Sequence, residues 1–430
     1  MPILVREELL DKLDVFFPLQ AAGRALTGLA LYELELARAL CTLPELRVHG
    51  GIHECNLCNQ ALAHYITKRL SAPQFQEETN SSSGLLKATK QFLISKPALA
   101  RSVQSLLPTP FKKRVKEIKT KYGSWPLYHE ANFIPRPYPG PSIATIHDLS
   151  FWHFPKTHPP GRVAALNYLL PRTIRTCSAI ITDSHIVSLD IKERFPEAAE
   201  RIYNIPLAAS DFWYPATGEE IKATLKPLFR QEPQQSKIIR NIPNFILAVG
   251  TLEPRKDLEG LIKAWRALPK KLRRNFHLVL AGTNGWENQI LMQEIAKLKE
   301  KGELSYLGYV SPHELRALYS SARALAYPSL YEGFGLPVLE AMQCGCPVIC
   351  REGTSMTEFT GEAALLCAPA KAGREEQIET LTYALMQFME SDLLCAHKRQ
   401  QGLAQAQHYN WQKTAKQTAE VYYKTTTATC

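Results

Sequence analysis

The chain has 430 residues, of which 45% are hydrophobic and 21% charged, and its formal net charge is +10. This length is more than one hydrophobic core usually serves, so two domains are expected. No apolar run reaches the ~18 residues that indicate a membrane span, and the charged start MPILVREELL lacks the pattern of a signal peptide. Composition therefore predicts an ordinary globular protein in the cytoplasm.

The first half predicts strands and helices around an irregular middle. Residues 1–12 are expected to form a short helix or an irregular extension, and a long helix is predicted over 29–42, just after Thr27 and Gly28. Residues 72–110 are the least regular, with loop-forming runs such as TNSSSG and PTP. Strands are predicted at 14–18, 142–146, 179–182 and 201–205.

The second half alternates strands and helices, after a polar, proline-bearing segment at 206–243 that we interpret as an inter-domain linker. Such alternation with apolar strands predicts a parallel, doubly wound sheet, whose ligands lie outside the carboxyl ends of the strands. Strands are predicted at 245–249, 277–281, 304–307, 324–327 and 347–349, and helices near 257–268, 312–322 and 337–344.

The positive charge is concentrated in residues 112–121, KKRVKEIKTK, which carry six bases and one acid. Such a run suits an anionic membrane surface or an anionic substrate, although a solvated helix face is the more common explanation for it. No RNA- or DNA-binding motif accompanies the run, so nucleic acid is not an expected partner.

Ten cysteines are spread from Cys41 to Cys430, and several lie within apolar runs, as buried free thiols do in a reducing compartment. One cluster, His53-Glu54-Cys55 with Cys58, has the spacing of metal ligands. A closed zinc site needs four ligands, usually from two such pairs, and the sequence has no second CxxC pair. We therefore predict no metal and no cofactor.

The segment 327–348, YPSLYEGFGLPVLEAMQCGCPV, contains the most informative pattern. Glu332 and Glu340 flank a Gly-x-Gly loop, and Pro337 starts a predicted helix whose N-terminus is a natural seat for phosphate. Glycines let the backbone approach a ligand, and carboxylates accept hydrogen bonds from sugar hydroxyls. The local chemistry therefore indicates a site for a sugar joined to a phosphate.

Two further groups of polar residues follow predicted strands. Arg255 and Lys256 come just after the strand FILAVG, on the same predicted sheet edge as the Glu332 loop, and two cations beside a helix start can neutralise a diphosphate without a divalent metal. His147 ends a strand in the first half and precedes aromatic residues, which favours contact with a substrate, although Asp148 could equally be the polar partner.

Several other chemistries are disfavoured by missing motifs. Ser184 is most simply the N-cap of a helix, and no G-x-S-x-G nucleophile elbow is present. The sequence also lacks GxGxxG and GxxxxGK[ST], which weakens dehydrogenase and P-loop interpretations.

These residues resemble the retaining glycosyltransferases of family 4 (group 1), which have the two-domain GT-B fold. In the first half, the resemblance is carried by Thr27-Gly28, His147-Asp148 and Ser184, and the closing segment 409–422 looks like the family's final helix, which returns to the first domain. In the second half, the motifs are Gly250…Glu253-Pro254-Arg255-Lys256, Ala281-Gly282, Gly308-Tyr309-Val310 and Glu332-Gly333-Phe334-Gly335-Leu336-Pro337…Glu340-Ala341.

The resemblance implies an α/β fold of GT-B type, with two Rossmann-like doubly wound domains facing across a cleft. The expected parts are an acceptor-binding domain at 1–205, a linker at 206–243, a nucleotide-sugar-binding domain at 244–405 and a returning C-terminal helix at 406–430.

The resemblance also implies roles for individual residues. Glu340 would hold the ribose hydroxyls, Glu332 the hydroxyls of the donor sugar, and Arg255 with Lys256 the diphosphate, while His147 would lie next to the donor sugar. The base would lie against Tyr309 and Val310. Further donor-binding positions implied in the same way are Gly28, Gly250, Gly282, Gly333, Phe334, Gly335 and Leu336. The reaction would retain the anomeric configuration, generally without a metal.

One segment departs from the family pattern. The family often has Gly-x-Gly-Arg-Tyr where this chain reads Gly28-Leu29-Ala30-Leu31-Tyr32. The second glycine and the arginine are missing, which weakens the case for phosphate approach at this loop. The charged extension before the first strand is also atypical.

The runs LYHEANFIP and HDLSFWHFP resemble those of transferases that add mannose or a deoxyhexose such as rhamnose to O-antigen-like chains. The resemblance implies a nucleotide-diphosphate sugar donor, with GDP favoured over UDP. It also implies a glycan or polyprenyl-diphosphate-linked acceptor, which the basic first domain would meet at an anionic inner membrane face. Two alternatives stay open. One is a nucleotide-sugar epimerase of the same fold, and the other is a non-catalytic nucleotide-sugar-binding partner, which the altered segment 28–32 suggests.

Overall fold

A computed structural model describes residues 12–20, 28–52, 55–71, 110–230, 244–285 and 288–427. The predictions for 1–11, Thr27, His53 with Glu54, and 72–109 lie outside these ranges. The chain divides into two compact units, Met1–Leu207 with Trp411–Cys430, and Ala208–Asn410.

The first unit contains a largely parallel sheet with the strand order β3-β2-β1-β4-β5-β6-β7. Among the strands that the structure describes in this unit, only the edge pair β2–β3 is antiparallel. The four strands predicted for this half are confirmed, and three that were not predicted (β2, β3 and β4) accompany them. Their bounds are β1 Leu13–Pro18, β2 Leu46–Ile52, β3 Cys55–Cys58, β4 Leu127–Glu130, β5 Ser142–Ile146, β6 Ala179–Thr182 and β7 Ile202–Asn204.

The interior strands of the first unit are buried along their length, as expected for a sheet covered on both faces. The predicted helix over 29–42 is confirmed as Gly28–Leu40. The α-helices of this unit are Gly28–Leu40, Asn59–Ser71, Pro110–Tyr122, Ser150–His153, Pro160–Thr176, His185–Arg194 and Trp411–Thr427, with 3₁₀ turns at Pro155–Thr157 and Pro196–Arg201.

The C-terminal helix Trp411–Thr427 packs within the first unit, against Gly28–Leu40. Its buried Tyr422 hydroxyl lies 2.7 Å from His129 Nδ1, and His129 Nε2 lies 2.8 Å from the hydroxyl of Thr145. Burial lowers the pKa of His129 to about 3, so the imidazole is neutral and bridges the two hydroxyls. A buried polar network therefore joins the end of the chain to the centre of the first sheet.

The second unit contains a sheet with the order β10-β9-β8-β11-β12-β13, in which the recorded strand pairs are all parallel. The strands predicted for this half are confirmed, and β13 is an addition. Their bounds are β8 Phe245–Val249, β9 His277–Ala281, β10 Leu304–Tyr306, β11 Ala324–Tyr327, β12 Val348–Arg351 and β13 Ala364–Cys367.

The helices of the second unit enclose an apolar core around the fully buried Trp265. The predicted helices near 257–268, 312–322 and 337–344 are confirmed to within one residue at each end. The α-helices are Gly218–Arg230, Leu258–Ala267, Lys270–Asn275, Gln289–Glu300, Pro312–Ser321, Leu336–Gln343, Ser355–Thr360, Arg374–Glu390 and Asp392–Ala406, with 3₁₀ turns at Pro254–Lys256 and Gly361–Ala363.

The prediction of a linker over 206–243 is wrong for much of its length. Residues from Ala208 onward belong to the second unit, where Gly218–Arg230 forms a helix that buries Leu225 and Phe229. The segment contains Pro227 inside the helix, and proline together with many polar residues concealed its amphipathic pattern. Residues 406–410 also belong to the second unit, so the returning segment begins at Trp411.

Both sheets reverse strand order between two central neighbours, β1 and β4 in the first and β8 and β11 in the second. In open α/β sheets, ligands bind outside the carboxyl ends of the strands at such a switch point. Within the described ranges, no helix is both long and apolar enough to cross a membrane.

Candidate functional site

The loops after β8 and β11 lie at the switch point of the second sheet, and they carry the charged residues predicted from the sequence. Lys256 Nζ lies 2.6 Å from Glu332 Oε1, and Arg255 Nη1 lies 2.8 Å from Glu332 Oε2. Arg255 also donates to the carbonyl of Tyr331, 2.7 Å away. The structure therefore brings Arg255, Lys256 and Glu332 into one bonded cluster.

The electrostatics of this cluster keep the carboxylate charged. Burial on its own would raise the pKa of Glu332, but Lys256 and Arg255 outweigh it and bring the pKa to about 2. Burial lowers the pKa of Lys256, and Glu332 opposes that shift. Glu253 Oε1 lies 2.5 Å from Arg255 Nη2, so two cations face two carboxylates. An incoming diphosphate would therefore have to share or replace existing ion pairs.

Two hydroxyls complete the cluster, and sequence reasoning did not single them out. The Tyr327 hydroxyl lies 2.6 Å from Lys256 Nζ, and the Ser329 hydroxyl donates to Glu332 Oε1 at 2.6 Å. Tyr327 ends β11, and Ser329 follows it by two residues. Their position at a strand end next to Glu332 is the signal that would have found them.

The loop after β11 reaches a helix start at Leu336. The N-cap Gly335 has φ +104° and no side chain with which to cap the first-turn N–H groups. A Cβ at Gly335 would lie 2.5 Å from Met356 Cγ, so another residue would have to displace this side chain as well as adopt the positive φ. The Ser355 hydroxyl lies within hydrogen-bond distance of the carbonyls of Glu332 and Phe334, which fixes the loop. The result is a helix N-terminus suited to an anion.

Glycines also line the neighbouring strand ends. A Cβ at Gly282, which has φ +148°, would lie 2.0 Å from the carbonyl oxygen of Gly250. The Gly282 amide donates to the carbonyl of Gly308 at 2.7 Å. The carboxyl ends of β8, β9 and β10 thus meet through bare backbone. A Cβ at Gly250 would lie 3.5 Å from Lys256 Cε, which is an ordinary contact.

The remaining residues predicted in this loop region differ in exposure. Tyr309 is 74% exposed, whereas Val310 is buried. The ring of Phe334 is also buried and stacks on Phe359, with centroids 4.7 Å apart, so only the backbone of Phe334 is available to a ligand. Gly333 and Leu336 are partly exposed.

Glu340 has a partner of its own, separate from the ion cluster. It accepts a hydrogen bond of 3.2 Å from the buried Tyr319 hydroxyl, and burial raises its pKa to about 7. The helix begins at Leu336, one residue earlier than predicted, and Glu340 lies just past its first turn. The structure shows direct bonds between Glu332 and both cations, but it records no such bond for Glu340.

In the first unit, both ring nitrogens of His147 are engaged. Nδ1 lies 2.7 Å from Asp183 Oδ2 and Nε2 lies 2.8 Å from the carbonyl oxygen of Ala131. A carbonyl can only accept, so Nε2 must carry a proton. Burial would lower the pKa of His147, but Asp183 outweighs it and the pKa is raised. His147 is therefore a hydrogen-bond donor on both sides and a poor candidate for a general base.

The other residues considered in the first half have simpler explanations. Asp148 accepts from the backbone N–H of Ser150 at 2.9 Å, which is a local turn contact. The prediction of Ser184 as an N-cap is confirmed, since its hydroxyl accepts from Val187 N–H. A Cβ at Gly28 would meet no atom within 4 Å, so this position does not require glycine for steric reasons.

The basic run forms the helix Pro110–Tyr122, which buries Phe111, Val115 and Ile118. Lys113 and Lys116 are exposed, so the helix has an apolar inner face and a basic outer face. In the part of the chain that the structure describes, no group of three or more His, Cys, Asp or Glu side chains is arranged to hold a metal ion, and His53 and Glu54 of the sequence cluster lie outside that part.

Comparison with known structures defines the fold. Sucrose-phosphate synthase from Thermosynechococcus elongatus superposes with a TM-score of 0.63 at 17% identity, covering 97% of this chain and all of that one. Anabaena Alr3699/HepE, solved in complex with UDP and glucose, gives a TM-score of 0.59 at 18% identity, over 96% of this chain and all of the other. With two parallel-sheet α/β units, the chain has the GT-B fold of glycosyltransferases.

Sequence comparison finds similar glycosyltransferases. Residues 229–402 match the family described as Glycosyl transferases group 1. The chain is also 29% identical over 410 residues to the O-antigen chain mannosyltransferase B of Escherichia coli, covering 95% of this chain and 99% of that protein. Over these residues the chain is similar to the group 1 glycosyltransferases, the family that the sequence motifs resemble.

Proposed function

We propose that this glycosyltransferase moves a mannosyl residue from a nucleoside diphosphate sugar to a growing surface polysaccharide, with retention of anomeric configuration and without a metal. The proposal takes GDP-mannose as the donor in preference to a UDP-sugar. The observation that carries it is the Arg255–Lys256–Glu332 cluster, at the switch point of the sheet and beside a helix start capped only by glycine. The similarity to an O-antigen mannosyltransferase over nearly the full chain supports the sugar and the acceptor class.

The cluster has the chemistry that departure of a diphosphate requires. As the bond to the sugar breaks, negative charge builds on the leaving phosphate, and cations already fixed in place stabilise it without reorganising. Arg255 and Lys256 are held by Glu332, Glu253 and Tyr327, so their positions are set before a ligand arrives. In this proposal Glu332 also accepts hydrogen bonds from sugar hydroxyls. The same carboxylate then contacts the sugar and positions the cations that bind the diphosphate.

Other residues take the remaining parts of the donor in the proposal. Glu340, with Tyr319 behind it, accepts from the ribose hydroxyls, and the exposed Tyr309 lies against the base. His147 acts through its charge rather than by accepting a proton, because both of its nitrogens are committed to acceptors.

Turnover tests the proposal directly. The purified protein is incubated with GDP-mannose or with UDP-glucose, each with and without a mannose-terminated oligosaccharide. Acceptor-dependent release of GDP, with an α-linked product by NMR, is the expected result. Turnover with UDP-glucose but not with GDP-mannose would overturn the donor assignment. A β-linked product would overturn retention.

The same incubations separate the two alternative functions. An isomerised nucleotide sugar formed without acceptor would indicate an epimerase. Tight binding of the nucleotide sugar with no turnover under any condition would indicate a non-catalytic partner. Either outcome would replace the proposed transferase activity.

We further propose that the acceptor is a polyprenyl-diphosphate-linked glycan reached at the cytoplasmic face of the membrane. The basic outer face of the helix Pro110–Tyr122 supports this, because exposed lysines are attracted to anionic lipid headgroups. Lys119 Nζ also lies 4.3 Å from the ring centroid of Trp125, which places an aromatic side chain beside the basic face. The eight cysteines whose side chains the structure describes are free thiols, which suits a reducing compartment.

Vesicle sedimentation tests this surface. The double variant Lys113→Glu, Lys116→Glu should lose most of its binding to phosphatidylglycerol vesicles at low salt, and high salt should abolish binding of the wild type. The matched control is Lys270→Glu, Lys271→Glu, which makes the same charge change at exposed lysines of the second unit. Equal loss in both variants would show a dependence on net charge alone and would contradict a specific docking face.

A further inference from the structure

A buried arginine, Arg351, contacts the loops that carry the charged residues of the site. The proposed function gives it no role. Arg351 ends β12, and its side chain is 0% exposed. Its Nη2 lies 2.7 Å from Asp257 Oδ2, its Nε donates to the carbonyl of Pro328 at 3.0 Å, and its Nη1 donates to the carbonyl of Ala368 at 2.7 Å. One guanidinium thus bonds to the loops that follow three other strands, β8, β11 and β13.

Two of these bonds fall next to the site. Asp257 directly follows Arg255 and Lys256, and its backbone is left-handed with φ +51°, a strained conformation for a residue other than glycine. Pro328 begins the loop that leads to Glu332. The backbone N–H of Leu330 also donates to the carbonyl of Arg255 at 2.8 Å. The two loops are therefore bonded to each other directly as well as through Arg351.

Charge balance alone does not account for Arg351. Asp257 already has a second partner, because Arg374 Nη2 and Nη1 lie 2.8 Å and 2.9 Å from its two carboxylate oxygens. Asp257 also caps the helix Leu258–Ala267 by accepting from Gly260 N–H. Arg374 is 41% exposed, whereas the Arg351 guanidinium is fully buried and therefore costly to desolvate, so its presence calls for another role.

We propose that Arg351 is a positioning residue for the diphosphate, which sets the spacing between the Arg255–Lys256 loop and the Glu332 loop. The inference rests on the proposed function, because it assumes that these loops hold a nucleoside diphosphate. A planar fork with donors in fixed directions bonds several loops at once, which a lysine ammonium on a flexible stem does not do. Displacing the cations by a fraction of an ångström weakens contact with the β-phosphate but leaves the rest of the nucleotide site intact.

The experiment compares nucleotides with and without the β-phosphate. Affinities of GDP and GMP, and in parallel of UDP and UMP, are measured by calorimetry for the wild type and for Arg351→Lys. The variant should lose roughly tenfold in affinity for the diphosphate, with the monophosphate little changed, so the ratio of the two affinities falls. With GDP-mannose as donor, kcat should fall more than KM rises. Arg374→Lys is the matched control and should keep the wild-type ratio, because Arg374 shares Asp257 but is not bonded to the Glu332 loop.

A second variant covers the case in which Arg351→Lys does not fold. The pair Arg351→Met, Asp257→Asn removes both charges, and asparagine keeps an oxygen to cap the following helix. The positioning role predicts a folded protein with a reduced ratio. A wild-type ratio in either Arg351 variant would overturn the inference and leave the proposed function standing. A wild type that binds no nucleoside diphosphate would overturn the proposed function and this inference with it.

Discussion

At the scale of single residues, two carboxylates of the candidate site have opposite electrostatic environments. Lys256 and Arg255 overcome the effect of burial at Glu332 and lower its pKa to about 2, whereas burial raises the pKa of Glu340 to about 7. Tyr319 is the bonded partner recorded for Glu340, and a neutral phenol does not offset the loss of water. The first carboxylate is therefore ionised throughout the working pH range, and the second titrates within it.

This difference predicts a pH dependence for nucleotide binding. A carboxylate accepts more strongly from ribose hydroxyls than a carboxylic acid does, so affinity for GDP should rise several-fold as pH increases through about 7. Glu340→Gln should remove this component. Calorimetric titration across pH 5.5 to about 8 measures it, and subtracting the variant's profile accounts for titration of the nucleotide's own phosphate. Parallel profiles for the two proteins would contradict the role of Glu340.

Glu340 also affects how protein stability depends on pH. The sign of this effect is opposite to that of an acid whose pKa is lowered by an ion pair. Because the folded pKa of Glu340 lies above the unfolded value, its contribution is fully present below the unfolded pKa of about 4.5 and is lost as pH rises through about 7. The free energy of unfolding of the wild type should therefore fall relative to Glu340→Gln over that window. Glu332 behaves in the reverse way, and its contribution is lost only as pH falls toward about 2.

At the scale of elements, the sequence predicted strands well where they are apolar and followed by glycine, as in β8 and β9. It missed β2 and β4, whose polar residues are satisfied by neighbours distant in the chain. In β2, buried Arg47 and His49 lie 3.1 Å and 2.7 Å from Asp14 of β1. In β4, Glu130 accepts a hydrogen bond from Gln20, which lies 110 residues away in the chain. The hydropathy pattern of a short segment carries no information about such distant partners, so these polar strands were not predicted.

Glycine at a strand end provides an element-scale prediction. Gly282→Ala places a Cβ 2.0 Å from the Gly250 carbonyl oxygen and forces the ends of β8 and β9 apart, at a cost of about 2–4 kcal/mol. Gly308→Ala is the control, since Gly308 also has positive φ but its Cβ would meet nothing within 4 Å, so about 1 kcal/mol is expected. Urea unfolding measures both. Equal costs would show that backbone conformation alone, and not the close approach, requires glycine at 282.

At the scale of the whole molecule, the chain forms two units, and its last helix is part of the first unit even though the second unit precedes it in sequence. The bond between Tyr422 and His129 joins positions 293 residues apart. Neutral His129 is fully buried and is bonded on both nitrogens, so it depends on the returning helix for one of its partners. Stability of the first unit is therefore coupled to the end of the chain.

Removing one hydroxyl tests this coupling. Tyr422→Phe leaves a buried ring nitrogen of His129 without its partner and should destabilise the first unit by about 1–3 kcal/mol. Tyr423→Phe is the control on the same helix, because the Tyr423 hydroxyl bonds to the carbonyl of Glu45 at an exposed position and should matter much less. Denaturant unfolding followed by circular dichroism gives both values. A similar small effect for the two variants would show that packing, rather than the buried bond, attaches the helix.

The sequence by itself predicted the fold class and the positions of the main strands along the chain, because hydropathy periodicity and Gly-Pro punctuation are local properties. Its motifs also carried the resemblance to the group 1 glycosyltransferases. It also identified Arg255, Lys256 and Glu332 as charged residues at strand ends. Only the tertiary structure showed that Lys256 and Glu332, 76 positions apart, are directly bonded, and that Tyr327 and Ser329 join them. It alone revealed Arg351 beneath the site. Such bonds form between residues at the ends of neighbouring strands. Which strands are neighbours in the sheet is set by packing of the whole unit rather than by any one segment.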